Sequence, residues 1–322
     1  MAHMLNKVKG KVAMFYTGEV PWHQLGQHLD NPATAEEAIV AAKLDYTITQ
    51  TDVFAAGVTN TLPLEPIRGY QANIRIDTNE VLGIVSSRYH VIQNKQAFTF
   101  FDHIVGEGQA IFHTAGALGK GERIWILAKL PGTIRVTKKD NVEKFLLLYN
   151  SHDGSSAVRV RFTPIRVVCN NTLRAALAGS SAEVRIRHTK TATQQLKTAH
   201  HVLGISGTVF HNSEIAYQAM AEKQMSAEDL LSYVKRLVPT DDDKEEHAHA
   251  ERVRNVILQL HEEGVGAELA RGTVWGAYNA ATEYADHMVP VKQNPHKHLK
   301  SMWWGEREGL RKRAFELALQ CL

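Results

Sequence analysis

The sequence contains very little cysteine and no long apolar run. Its 322 residues include only two cysteines, Cys169 and Cys321, which excludes a disulfide framework and a cysteine-based zinc module. No segment approaches the roughly 18–20 consecutive apolar residues of a membrane span, and the N-terminus has no signal-peptide hydrophobic region. We therefore expect a cytoplasmic protein in a reducing compartment, with no membrane partner.

The short motifs that bind nucleotides or metals are also missing. The sequence has no G-x-x-x-x-G-K-[ST] loop, no G-x-G-x-x-G after a strand, no H-E-x-x-H and no C-x-x-C. Its 17 histidines include i,i+2 pairs such as His247 with His249, which do not share a helix face. The sequence thus predicts no cofactor, no metal site and no apparatus for nucleotide hydrolysis.

Charge is unevenly distributed along the chain. The formal net charge is only +3, but residues 111–200 carry 15 basic and 5 acidic side chains, whereas residues 201–290 carry 7 and 15. The first block could bind a polyanion such as nucleic acid. It could equally form electrostatic contacts with the acidic block 201–290, either within one chain or between two copies of the protein.

The patterns of apolar residues predict an α+β fold in three parts. An irregular N-terminal segment with one short helix spans residues 1–45, a strand-dominated core spans 46–190, and a helical region spans 191–322. Alternating apolar and polar residues are typical of antiparallel strands with one covered face. We therefore expect an antiparallel sheet packed on helices, followed by a helical C-terminal region.

Three local signals give this prediction detail. Thr34 and Glu37 have the spacing of a capping box at the start of a helix. Residues 70–76 and 81–86 alternate on either side of a polar turn and predict a hairpin. A Thr-Pro pair followed by apolar residues predicts a helix over 164–177.

The most informative stretch carries arginines at every second position. Arg159 and Arg161 share one face of a predicted strand, and Arg185 with Arg187 repeats the pattern. The segment from Arg159 to Lys190 holds seven basic residues and one acid. Guanidinium groups spaced along strands suit phosphates, although a solvated sheet face could carry arginine for solubility alone.

Further basic residues would support such a phosphate-binding face. They are Arg166 and Arg174 on the predicted helix, and Lys138 and Lys139 in a loop. The nearby aromatic residues Tyr149, Phe162 and Trp125 could stack on unpaired bases, but their alternation places them opposite the arginines, which is more typical of core positions.

Two other groups of residues leave open a ligand site. His152, Asp153 and His188 are candidate acid–base groups, and Cys169 is a candidate nucleophile. The dipeptide His152-Asp153 also fits a turn, and Cys169 fits an inert buried thiol. These residues predict an enzyme or small-ligand protein as the alternative to a nucleic-acid-binding protein.

A polar stripe runs along a predicted helix near the C-terminal end. Trp275, Asn279 and Asp286 lie on one side of this helix. They could line a ligand pocket or a subunit contact, but a helix packed through its aromatic residues explains them more simply.

Several segments resemble the phage/plasmid-like protein family, whose domain of unknown function occurs in phages, prophages and plasmids. These segments are P-W-H-Q-L-G at 21–26, L-G-I-V-S-S-R-Y at 82–89, N-S-H-D-G-S at 150–155, R-V-V-C-N-N-T-L at 166–173 and T-V-W-G-A-Y-N-A-A-T-E-Y-A-D-H at 273–287. The resemblance covers the chain in order. It implies a mobile genetic element as the setting and gives no catalytic residues.

In outline, the predicted core is also similar to single-strand annealing recombination proteins, which have a curved sheet on a helix, a basic groove and no ATP site. That similarity implies single-stranded DNA binding along a ring or filament of identical subunits. The leading hypothesis is thus a non-enzymatic annealing-type protein. The third hypothesis is a self-assembling interaction protein whose basic block docks on the acidic block of another copy.

Overall fold

A computed structural model describes most of the chain. The described residues are 5–8, 10–17, 25–31, 33–56, 64–105, 111–166, 171–172, 183–198, 201–240, 244–288 and 306–322. They form thirteen strands: β1 (Lys7–Val8), β2 (Lys11–Val12), β3 (Met14–Thr17), β4 (Gln27–Leu29), β5 (Ile48–Ala55), β6 (Glu65–Arg75), β7 (Glu80–Ser86), β8 (Ile111–Leu118), β9 (Arg123–Arg135), β10 (Asn141–Ser151), β11 (Val158–Arg166), β12 (Asn171–Thr172) and β13 (Glu183–Ile186).

The same residues form eight α-helices, most of them in the second half of the chain. They are α1 (Ala35–Ala41), α2 (Asn94–Val105), α3 (Ala192–Thr198), α4 (His201–Glu222), α5 (Ala227–Leu237), α6 (Lys244–Glu263), α7 (Val274–Glu283) and α8 (Glu306–Gln320). A 3₁₀ turn at Ala267–Leu269 precedes α7, and a π-helical turn at Tyr284–Met288 extends it. No described helix is both long enough and apolar enough to span a membrane.

The strands form one large sheet and two small ones. The large sheet has the order β12-β11-β10-β9-β8-β3-β4, and β13 pairs with β11 beside this path. Strand β13 pairs antiparallel with β11, as β8 does with both β3 and β9, whereas β3 and β4 are parallel. A separate sheet has the order β5-β6-β7, and β1 pairs with β2. The α+β class, with antiparallel sheets and C-terminal helices, is confirmed.

The chain divides into two compact units, and neither is one continuous stretch. Unit 1 comprises residues 1–130, 146–161 and 183–204, and unit 2 comprises 131–145, 162–182 and 205–322. Strands β9, β10 and β11 therefore contribute residues to both units. The boundaries at residues 45 and 190 remain a prediction.

In unit 1, apolar side chains from the large sheet pack against α2. Phe98 and Phe101 of α2 lie 5.4 and 5.6 Å from the ring of Phe112 on β8, measured between ring centroids. Ile124 and Ile126 of β9 are fully buried. Aromatic pairs of this geometry stabilise the core beyond the area that they bury.

In unit 2, the core surrounds helix α7, all ten residues of which are buried. Trp275 and Tyr278 of α7 pack with Tyr217 of α4 and Phe315 of α8, at centroid distances of 4.7 to 6.3 Å. A helix that is buried all round lies at the centre of its domain rather than on its surface.

Two of the local predictions are confirmed. Thr34 caps α1: its hydroxyl accepts from the backbone N–H of Glu37, whose carboxylate accepts from the backbone N–H of Thr34. Strands β6 and β7 form the predicted hairpin, and Asn79 adopts a left-handed φ of 56° in its turn. Asn tolerates that conformation better than most residues.

The helix predicted over 164–177 is wrong where the structure describes it. Strand β11 continues through Pro164 to Arg166, and Ile165 pairs with Thr172 of β12. The Thr-Pro pair does not require a helix, because proline also favours an extended residue before it. The β-branched neighbours Thr163 and Ile165 suit a strand. Residues 167–170 and 173–182 lie outside the described residues.

Candidate functional site

The arginines of β11 lie on one face of the large sheet, opposite its apolar face. Val158, Val160 and Phe162 are buried on the apolar side, so Arg159 and Arg161 point to the other. Strand β13 pairs antiparallel with β11, and this register sets Arg185 directly opposite Arg159 and Glu183 opposite Arg161. Residues directly opposite in an antiparallel pair share a face, so all four side chains meet there.

Glu183 is the centre of this group, which we call the arginine cluster (Arg159, Arg161, Arg185 and Glu183). Its carboxylate oxygens lie 3.1 Å from Arg161 Nη2 and 3.7 Å from Arg159 Nη1, and they accept from Nε of Arg185. The Glu183 side chain is 5% exposed, whereas the Arg185 side chain is 64% exposed. Within the cluster, three positive charges surround one buried negative charge.

Tyr149 of β10 extends this charged surface towards β9. Burial raises the pKa of the Tyr149 phenol to about 12, although the positive charges of Arg123 and Arg159 act in the opposite direction. Arg123 also forms an ion pair of 2.7 Å with Asp153. Arg123, Tyr149, Arg159 and Arg185 therefore belong to the neighbouring strands β9, β10, β11 and β13.

Arg123 is not among the site residues predicted from the sequence. The sequence indicates Arg123 only weakly, as the first residue of a β-rich run within the basic segment 111–200. No sequence pattern places it beside Tyr149. Only the order of the strands in the sheet brings the two together.

His152 lies in a fully buried polar cluster of unit 1. Its Nε2 is 2.9 Å from Asn94 Oδ1, and its backbone carbonyl accepts from Asn73 Nδ2 at 2.6 Å. Burial, together with the nearby charge of His188, lowers the pKa of His152 to about 3. The imidazole is therefore neutral at physiological pH.

His188 belongs to the same cluster. Its Nδ1 is 3.2 Å from the backbone oxygen of His90, and its ring stacks on Tyr89 with centroids 4.3 Å apart. The Tyr89 hydroxyl donates to the backbone oxygen of Ser151 at 2.6 Å. Burial lowers the pKa of His188 to about 4. Asp153, the third acid–base candidate, instead bonds Arg123 and the backbone N–H of Ser155.

The comparison with known families rests on residues 81–303, which match the family model described as Domain of unknown function (DUF932). The match covers more than half of the chain. The chain belongs to the DUF932 family. No curated protein and no solved structure matches it. The matched range contains the arginine cluster and both buried histidines, and the description of DUF932 assigns no activity to either.

The remaining basic residues predicted in this DUF932 protein are divided between the two units. Lys138 and Lys139 are exposed in the loop between β9 and β10, which belongs to unit 2. Arg187 is exposed just after β13 in unit 1. Arg166 ends β11, but its side chain is not described, and Arg174 and Cys169 lie outside the described residues.

The polar stripe of α7 is part of the core of unit 2. The Trp275 Nε1–H donates to Asp140 Oδ2 at 2.8 Å, and Asn279 Nδ2 donates to the Trp275 carbonyl at 2.8 Å. Asp286 bonds Arg311 of α8, and both side chains are buried. These contacts favour the interpretation as a packed helix over that as a ligand pocket.

Proposed function

We propose that this DUF932 protein binds single-stranded DNA through the arginine cluster, as a non-enzymatic annealing-type protein that acts without ATP in recombination or replication. The observation that carries the proposal is that three guanidiniums meet at one carboxylate on a partly exposed face, where the Arg185 side chain is 64% exposed. Guanidinium forks bind phosphate oxygens in pairs, so an incoming phosphate can reach the exposed guanidinium of Arg185.

Like charges on neighbouring strands favour an anionic ligand. Arg159 and Arg185 are cross-strand partners, and like charges directly opposite each other destabilise a sheet. Oε1 of Glu183 contacts both guanidiniums and relieves part of this repulsion, and a phosphate bound to the exposed Arg185 would relieve more. Arg187 is exposed at the end of the same strand pair and extends the positive surface by one more contact.

The preference for single strands rests on Tyr149. Its half-buried ring lies between Arg123 and Arg159 in the order of the strands, and an aromatic ring between cations suits a base with its flanking phosphates. In a duplex the bases are stacked on each other and cannot use such a ring.

The setting of this function is also a proposal. The resemblance to the phage/plasmid-like family favours a mobile genetic element in the cytoplasm. Annealing proteins of this outline work as rings or filaments, so we expect a homo-oligomer. Light scattering with and without an oligonucleotide measures this, and an assembly that dissociates in salt without DNA would instead favour docking between basic and acidic blocks.

The binding experiment is an anisotropy titration of a labelled single-stranded oligonucleotide at several salt concentrations. The logarithm of affinity should fall linearly with the logarithm of salt concentration, with a slope of about −0.7 per phosphate contact. For Arg159→Ala/Arg185→Ala we expect about tenfold weaker binding and a slope about 1.4 less negative.

A charge-matched control is Lys235→Ala/Arg252→Ala, which removes two exposed cations from α5 and α6. This control should bind like the unaltered protein. If the two double variants lose affinity equally, net charge explains the binding and the arginine cluster does not. A duplex that binds as tightly as the single strand would contradict the role of Tyr149.

A further inference from the structure

Three buried side chains of unit 1 hold the segment that connects β7 to α2. The His188 Nδ1 bonds the carbonyl oxygen of His90, Asn150 Nδ2 donates to the carbonyl oxygen of Ile92 at 3.2 Å, and His152 Nε2 bonds Asn94 Oδ1. Asn150 and His152 are fully buried, and His188 is 8% exposed. We call Asn150, His152 and His188 the lone-pair cluster, because the described residues offer no hydrogen-bond partner to one acceptor atom of each.

The hydrogen bonds determine which ring nitrogens carry protons. Asn94 Nδ2 donates to the Leu44 carbonyl at 2.9 Å, so Asn94 Oδ1 faces His152 and can only accept. His152 Nε2 must therefore carry the hydrogen, which leaves a lone pair on Nδ1. By the same reasoning, His188 Nδ1 donates to the His90 carbonyl, and a lone pair remains on Nε2.

Each member of the cluster thus has one acceptor atom left over. His152 Nδ1, His188 Nε2 and Asn150 Oδ1 are buried, and none has a hydrogen-bond partner among the residues that the structure describes. A buried polar atom without a partner is costly and rare. All three atoms are acceptors, so the partner that would satisfy them is a cation or a hydrogen-bond donor, and an anion is excluded.

The three residues are neighbours in space. The Tyr89 ring stacks on His188, and its hydroxyl donates to Ser151, which stands between Asn150 and His152 in the chain. In this hydrogen-bonding arrangement each imidazole keeps one unprotonated ring nitrogen, as metal coordination requires.

We propose that the lone-pair cluster binds a divalent transition-metal ion of the zinc class. Two neutral imidazoles suit Zn²⁺, Co²⁺ or Ni²⁺ better than Mg²⁺ or Ca²⁺, which prefer oxygen ligands. In known metal sites, ligating histidines donate their second N–H to a carbonyl or carboxylate. His188 has this arrangement with a carbonyl, and His152 has it with an amide oxygen.

The sequence motifs did not indicate such a site, because its two histidines are 36 positions apart and its third ligand is the amide of Asn150. Among the described residues, no group of three His, Cys, Asp or Glu side chains is placed to hold a metal. The proposed site has two such side chains and the Asn150 oxygen, so water or a bound ligand completes the coordination.

The test is a titration of the chelator-treated full-length protein with Co²⁺, followed by visible absorption, and with Zn²⁺, followed by the unfolding temperature. We expect one ion per chain and a Zn²⁺-dependent rise in unfolding temperature. His188→Gln and His152→Gln should each weaken Co²⁺ binding by at least about tenfold.

The matched control is His90→Ala. The His90 side chain is exposed, and its backbone carbonyl, which His188 bonds, is kept. If the control loses binding as much as His188→Gln, the ion binds elsewhere. If the unaltered protein binds no ion stoichiometrically, ordered water satisfies the three acceptors and the proposal is overturned, whether or not the variants fold. Neither result depends on DNA binding.

Discussion

The part of the chain that the structure describes contains two clusters that combine arginine and carboxylate groups differently. In unit 1, one carboxylate, Glu183, is shared by Arg159, Arg161 and Arg185, and the outermost arginine is exposed. In unit 2, Arg311 bonds two carboxylates, those of Asp286 and Glu308, and all three side chains are at most 10% exposed. The two clusters therefore differ in how many arginines bond a carboxylate and in how exposed those arginines are.

The pKa of Arg311 illustrates the structural case. Burial alone would lower the pKa of its guanidinium, but the charges of Asp286 and Glu308 and the hydrogen bond that Arg311 donates to Asp286 outweigh that effect and raise it. A charge that is both buried and compensated has no remaining capacity for a ligand. In the arginine cluster, by contrast, the Arg185 side chain is 64% exposed.

The largest effect that tests this comparison is on stability. Arg311→Met should lower the free energy of unfolding by about 3–5 kcal/mol, because it removes the guanidinium that bonds both of the buried carboxylates of Asp286 and Glu308. Arg161→Met, the matched change in the other cluster, should cost about 1–2 kcal/mol, since Glu183 keeps Arg159 and Arg185. Urea denaturation measures both values, and equal losses would remove the distinction between the clusters.

A smaller effect is expected on affinity when the central carboxylate is neutralised. Glu183→Gln should strengthen oligonucleotide binding by about threefold, because it removes the negative charge that competes with phosphate. Glu65→Gln makes the same change in net charge at an exposed position of β6 and serves as the control. Weaker binding by Glu183→Gln would mean that Glu183 positions the arginines rather than competing with the ligand.

The smallest effect concerns the loop lysines of unit 2. Lys138→Ala/Lys139→Ala should make the salt dependence less steep by about 0.7 for each lysine that contacts a phosphate. Binding at low salt should otherwise persist, because the arginine cluster is intact. The anisotropy titration in salt checks this, and a complete loss of binding would transfer the interface from unit 1 to this loop.

The sequence predicted features that depend on near neighbours in the chain. The capping box of Thr34 and Glu37 and the alternation of Arg159 and Arg161 with buried valines arise within a few residues, and their spacing is readable directly. The prediction of a helix over 164–177 was wrong because it relied on near neighbours alone. A Thr-Pro pair is compatible with a helix start or with a strand, and pairing with β12 selects the strand.

The features that the sequence could not predict depend on partners far along the chain. Glu183 reaches Arg161 through strand pairing across 22 residues, and Trp275 reaches Asp140 across 135. The tautomer of His152 is decided by Asn94, which itself bonds Leu44. No periodicity in the sequence encodes such contacts. The positive charge of residues 111–200 could therefore be predicted, but the ion pairs of Glu183 with three arginines could not.

The division into two units has a practical consequence for anyone who dissects the protein. The polypeptide passes from one unit to the other five times, so no single cut releases either unit intact. A fragment ending at residue 204 would keep all of unit 1 but also carry the residues 131–145 and 162–182 of unit 2, stripped of the helices that complete their core. We therefore expect the two units to fold together rather than as separate fragments. Point substitutions, rather than truncations, are the suitable way to test the proposed sites one at a time.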